Sequence, residues 1–354
     1  MRRFLPDTFL ILLLCTVALA SVLPASGVFA KWFAVATDFA IALLFFLHGA
    51  RLSRDVVIAG LTHWRLHLVI LLTTFGLFPL LGLAFGFLPA SILPKPLYLG
   101  ILFLCVLPST VQSSIAFTSM AGGNVPAAIC SASASNIFGM VLTPLLVGVL
   151  FSAGGHGGFS WDAVSQILVQ LLLPFALGQL LEPRIGNWIR ARKTLLMPVD
   201  RGSILMVVYL AFSTAVVEGL WHQFSLRDIA VVAVAEMILL GLVLVTTAFG
   251  SPLLGFDKAD QITVTFCGSK KSLASGVPMA NVIFAGQGVG AIVLPLMLFH
   301  QMQLMVCAMI AQRYARAARS RVAPQAAAAT AAVPADADQV GAARKGEPLP
   351  AETA

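Results

Sequence analysis

"FCGSKKSLASGVPM", residues 266–279, is the stretch whose reading decides the fold. It lies in a run that is otherwise lipid-soluble, yet two adjacent lysines, Lys270 and Lys271, stand in its middle. Glycines, serines and Pro278 flank them, which is the composition of a helix interrupted rather than continued. A charge at the centre of a bilayer costs at least roughly 2.5 kcal/mol and faces a bundle interior or a polar cavity, where it has a partner or a task. The stretch therefore asks for a broken helix buried in protein at membrane depth.

The rest of the chain supplies that setting. Of 354 residues, 59% are hydrophobic and only 10% charged, a composition that excludes a soluble domain. A spanning helix needs about 20 mostly apolar residues, and ten such runs lie near 7–27, 31–49, 66–87, 97–121, 125–151, 162–182, 202–222, 228–249, 261–284 and 288–312. The net charge of +7 does not point to nucleic acid. With the N-terminus inside, nearly all basic residues fall on the cytoplasmic side, and only Lys31, Lys95 and Arg227 on the other. This bias places both termini in the cytoplasm. The N-terminal "MRRFLPDTFLILLLCTVALAS" mimics a secretory signal, but the even span count balances the charges only if it is retained. Cys15, Cys105, Cys130, Cys267 and Cys307 all fall in apolar runs without paired spacing, so they read as small buried residues.

Residues 1–315 form the expected ten-helix domain, divided at 1–153 and 160–315; the Ala/Pro-rich tail, 322–354, is expected to be disordered. The most basic segment, "EPRIGNWIRARKTLLMPVDRG", reads as the loop between spans six and seven. Five spans is an odd number, so two such halves insert with opposite orientation, the inverted-repeat plan of many secondary transporters. Span four carries "VLPSTVQSS" and its counterpart, span nine, carries "CGSKKSLASGVPM". Matched interruptions in two halves point to a transport site.

The ten spans, the serine-rich break followed by "GGN", and "FCGSKKSLASGVPM" resemble the bile acid:sodium symporter family, in its sodium/bile acid cotransporter 7 branch, over roughly residues 5–315. The resemblance implies an all-α membrane fold with core and panel domains, in which spans four and nine cross at their unwound middles. It further implies sodium held behind the crossing and substrate bound between core and panel. Carried over by position, the site comprises Gln112, Ser113 and Ser114 of span four, Ser131 and Ser135 of span five, and Gly268, Ser269, Lys270, Lys271 and Ser272 of span nine. Asn136, beside Ser135, is added as a candidate on its own residue type.

One departure is chemical. Sodium-coupled members carry a glutamate and a Gln-Asn pair at this break, whereas no Asp or Glu occurs from Gln261 to Pro334. A lysine ammonium about 6 Å from sodium repels it by ~3 kcal/mol at an effective dielectric of about 20, a loss of more than roughly a hundredfold in binding. Sodium or a proton therefore stands as the coupling ion, with the usual sodium site in doubt. One lysine is expected to replace the cation in the crossing, with the other facing the substrate cavity; the competing reading makes one a tether for carbonyls at half-helix ends. Asp38 in span two and Glu236 in span eight are possible charge partners. His63 and His67 are expected at the cytoplasmic interface. Neither a cofactor nor a metal site is indicated, and no motif of an intramembrane enzyme or ATPase is present. The expected function is secondary transport of an organic anion or amphipathic solute across a bacterial cytoplasmic membrane, the alternative being a non-transporting scaffold or regulator of ion homeostasis.

Overall fold

A computed structural model of the chain describes residues 8–51, 63–153, 161–217, 219, 224–284 and 288–331. Every regular element among them is helical. In order they are α1 (Thr8–Val22), α2 (Gly27–Arg51), α3 (Trp64–Leu72), a π-helical turn (Thr73–Leu77), α4 (Phe78–Ala84), α5 (Lys95–Cys105), α6 (Gln112–Ala121) and α7 (Val125–Ala153). There follow α8 (Trp161–Ala191), α9 (Lys193–Val217), α10 (Leu226–Leu253), α11 (Lys258–Gly268), α12 (Leu273–Ile283) and α13 (Val289–Ala331). Among the described residues six stretches are long and apolar enough to cross a bilayer: Gly27–Arg51, Trp64–Phe87, Val125–Phe151, Leu196–Val217, Leu226–Leu253 and Val289–Ala317. Helices α5, α6, α11 and α12 are each too short to cross alone, because the chain leaves the helix at Val106–Val111 and again at Ser269–Ser272.

The helices pack as two groups. Helix α2 lies along α8, and α1 and α2 both pack on α9. The α2–α8 approach depends on two glycines. A methyl at Gly49 would collide with the Phe175 carbonyl, and one at Gly178 with the Phe46 carbonyl, so the backbones touch as small residues allow in membranes. In the second group α13 packs on α5, α6, α10 and α12, while α11 packs on α3, α6, α7 and α10. Between the groups, α9 meets α12 and α13, and α8 meets α7 and α12.

Local chemistry fixes the ends that matter for the site. Helix α6 closes on Gly122 in the left-handed conformation (φ 76°), where a side chain would be strained. The next residues dock on α11: Asn124 donates to Asp260 (2.8 Å), and its backbone N–H donates to Thr263 Oγ1 (2.9 Å). Asp257 caps α11 by accepting from the Asp260 N–H. The "GGN" turn thus fixes the register of one broken span against the other.

Two expectations are corrected. The basic segment after Glu182 is not a loop; α8 and α9 run through it and meet at Arg192. Arg and Lys are good helix formers, and ion pairs Arg51–Asp200 (2.5 Å) and Arg190–Glu182 (2.8 Å) hold the helix ends. The tail does not lose structure at 322, since α13 continues to Ala331 through an alanine-rich stretch, the best intrinsic helix former. Residues 332–354 and the first seven residues lie outside those described.

Candidate functional site

The two interrupted spans cross at their breaks, backbone against backbone. Ser272 N–H donates to the Pro108 carbonyl at 2.8 Å. The crossing brings the C-terminal ends of two half-helices, α5 and α11, into the protein interior, where their last carbonyls have no helical partners. Each break supplies what the other lacks. Ser109 Oγ donates to the Cys267 carbonyl (2.7 Å) and Ser114 Oγ to the Phe266 carbonyl (3.3 Å), closing the end of α11.

The end of α5 is closed by Lys271. Its Nζ donates to the carbonyls of Cys105 (2.7 Å), Leu107 (2.8 Å) and Thr74 (2.7 Å). An ammonium has three N–H donors, and all three are used. Thr74 is available because its helix is loosened there. The hydroxyls of Thr73 and Thr74 bond back to Val69 and Ile70, the π turn widens the helix, and Pro79 brings no N–H to the Thr74 carbonyl five residues earlier. The Phe78 ring, 4.1 Å from Nζ, covers the remaining side.

Neighbouring spans hold the breaks from outside. Ser135 Oγ accepts from Ser109 N–H (3.0 Å), and Asn136 Nδ2 donates to the Ser109 carbonyl (2.9 Å). Asn136 Oδ1 accepts from Ser275 Oγ (2.8 Å), and Thr143 Oγ1 donates to the Val106 carbonyl (2.8 Å). On the other side Gln303 of α13 clasps Lys271: Oε1 accepts from its N–H and Nε2 donates to its carbonyl, both at 2.8 Å.

Of the residues expected at the site, Ser114, Ser135, Asn136, Gly268, Ser269, Lys270, Lys271 and Ser272 do converge on the crossing. Gln112 is exposed at the start of α6, and Ser113 bonds Thr110 at 2.6 Å. Ser131 bonds instead to His67 Nδ1 at 2.6 Å. His67 is therefore buried inside the helix group rather than turned outward, because α3 directs it toward α7.

Both lysines are fully buried (0% exposed), so neither opens onto a cavity in this conformation. Lys270 sits 4.4 Å from the Phe117 ring centroid with no hydrogen-bond partner for Nζ among the described residues. The acids do not pair with the lysines. Glu236 is fully buried with both oxygens unpartnered, and Asp38 is exposed on α2, in the other helix group. Among the described residues no three His, Cys, Asp or Glu side chains gather to hold a metal. Gln303 and Thr74 escape the sequence reading. Gln303 offers a signal, being one of two amides, with Gln301, in the middle of an apolar helix; Thr74 acts through its backbone and offers none.

An apolar helical chain built around two crossing half-helix pairs has counterparts among known proteins. An uncharacterized protein of Pseudomonas aeruginosa is 58% identical over 314 residues, 89% of this chain and 94% of that protein. YfeH of Escherichia coli, provisionally named a symporter, is 53% identical over 310 residues, 88% of this chain and 93% of its own. Sodium/bile acid cotransporter 7 of Rattus norvegicus is 28% identical over 270 residues, 75% and 79% of the two chains. The apolar helices and these relatives make it a multi-pass membrane protein of transporter type. Matched by the family profile over residues 7–316, the chain belongs to the SBF-like CPA transporter family.

Proposed function

We propose that the protein is a secondary transporter of an organic anion or amphipathic solute, not an enzyme, working by alternating access across a bacterial cytoplasmic membrane with both termini inside. In this reading the ten spans form two inverted halves, 1–153 and 160–315. The group α1, α2, α8 and α9 is the panel, and the group built on the crossing is the core. Discontinuous helices are hard to account for in a scaffold, which has no need to leave half-helix ends in the bilayer. What carries the reading is the pair of breaks bonded to each other through Ser272 and Pro108.

Sodium does not fit the pocket at the end of α5. The three carbonyls that would attract a cation are already taken by the Lys271 ammonium, and no carboxylate is bonded to them. The lysine is thus a built-in cation with the tether role for itself. With the α5 end so occupied, this reading takes a proton rather than sodium as the coupling ion.

The test is uptake of radiolabelled bile acids and smaller organic anions into proteoliposomes holding the full-length protein, with sodium and proton gradients imposed separately. Uptake driven by the proton gradient and indifferent to replacing sodium by choline is the expected result. Sodium-dependent uptake overturns the exclusion of sodium. No gradient-dependent flux across the panel overturns transport and favours the regulator.

A further inference from the structure

The clasp between Gln303 and Lys271 carries a consequence for His300, one turn earlier on α13. The amide of Gln303 is oriented without ambiguity. A backbone N–H can only donate and a carbonyl only accept, so Oε1 faces Lys271 N and Nε2 faces Lys271 O. Nε2 carries a second hydrogen, and it lies 2.9 Å from His300 Nδ1. An amide nitrogen is a donor only, so Nδ1 must offer a lone pair. The imidazole seen here is therefore the neutral ring with its proton on Nε2.

An imidazolium has an N–H at both nitrogens. Protonating His300 would set N–H against N–H₂. Relief requires either that the ring swing away or that Gln303 turn over. Turning over would put the amide oxygen against the Lys271 carbonyl and the NH₂ against its N–H, which opens the clasp. The ionisable groups on the helices packed against α13 are Lys95, Tyr98 and Cys105 on α5, Lys193, Asp200, Arg201 and Tyr209 on α9, Arg227, Asp228 and Glu236 on α10, and Lys258, Asp260 and Cys267 on α11, with Cys307 on α13 itself. Helices α6 and α12 carry none, and the break itself carries Lys270 and Lys271. At ~1.5 Å per residue, Cys105 and Glu236 lie at a depth comparable to that of His300, and Lys271 sends its ammonium to the α5 end rather than toward α13.

We propose that His300 is a proton-binding site of this protein, and that Gln303 transmits its state to the span-nine break by holding or releasing the Lys271 backbone. This deepens the transport reading and rests on it, since it names the residue through which a proton would act on the crossing. Gln303 is a positioning residue; His300 is where the proton binds.

Hydrogen exchange of the peptide 266–279 tests it in the full-length protein in lipid nanodiscs, at about pH 5 and about pH 8, with intrinsic rates corrected. In the wild type, corrected exchange at the break is expected to rise about tenfold at the lower pH. His300→Asn keeps an acceptor that does not titrate, so its break should stay protected at both values. Gln303→Leu removes the clasp and should exchange rapidly at both. A wild-type break whose corrected exchange ignores pH overturns the proposal, as does His300→Asn retaining the full wild-type response. The two readings fail separately. A proton-driven transporter with a pH-silent break loses the His300 site alone. A pH-responsive break without flux keeps that site and loses transport.

Discussion

Replacing Lys271 by methionine separates the two lysines by their energetics. The substitution leaves the carbonyls of Thr74, Cys105 and Leu107 without donors in a region closed to water. Each orphaned buried polar group costs roughly 1–3 kcal/mol, so three amount to about 3–9 kcal/mol before relaxation. Removing the ammonium also removes its desolvation penalty of several kcal/mol, and mutations that break one side of a buried charged contact lose about 3–5 kcal/mol net. A native domain has only about 5–15 kcal/mol in hand. Lys270→Met deletes an ammonium that makes no hydrogen bond and rests on Phe117. The aromatic contact returns about 2 kcal/mol or somewhat more when desolvated, which the released desolvation penalty of several kcal/mol offsets, so this variant should be as stable as the parent or more so. The assay is thermal unfolding of both purified variants in one detergent. At about 2 °C or more per kcal/mol, Lys271→Met should melt on the order of 6 °C or more below the wild type, with Lys270→Met at or above it. A Lys271→Met protein that melts with the wild type, or a Lys270→Met protein that melts well below it, would refute the reasoning that Lys271 is the tether.

Asn136→Ala removes the bridge from the Ser109 carbonyl to the Ser275 hydroxyl; two lost partners predict a loss of about 1–3 kcal/mol, read as a lower melting temperature with unchanged helix content by circular dichroism. Gly178→Leu drives a side chain into the Phe46 backbone and should cost well over about 3 kcal/mol of overpacking, read as failure to elute as a single species on size exclusion; the same change at Gly241, with open space around it, is the control that should elute normally.

The apolar runs and their interruptions were legible because hydropathy and Gly/Pro punctuation are local properties. Ser114 stands out in the polar break of span four and Asn136 by its residue type, whereas Ser135 comes only from the resemblance; all three bond to the crossing. What was not legible was the pairing. Lys270 and Lys271 are neighbours of one type, and nothing in the sequence says which reaches the α5 end. That is decided by the direction each takes on leaving a non-helical turn. The orientation of His67 is hidden for a similar reason: its distance from the end of the apolar run says nothing of the α3–α7 contact that pairs it with Ser131. The stretch after Glu182 reads as a loop only if charge is taken for irregularity, whereas Arg and Lys favour the helix wherever ion pairs can fix its ends.

The crossing is reciprocal in plan and unequal in chemistry. Two half-helix C-termini carry partial negative charge into the membrane, and one is met by a full positive charge while the other is met by hydroxyls alone. Lys271 is fastened to the chain and cannot leave the α5 end with a substrate or an ion. Ser109 and Ser114 neutralise the α11 end only through their dipoles, so that end keeps most of its field. The fully buried Lys270, whose Nζ makes no hydrogen bond among the described residues, lies just beyond the α11 end, and Gln303 of α13, itself bonded to His300, grips the same break. The unequal capping thus fixes a full charge at the α5 end and leaves the α11 end held by hydroxyl dipoles, with the Lys270 ammonium beside it making no hydrogen bond.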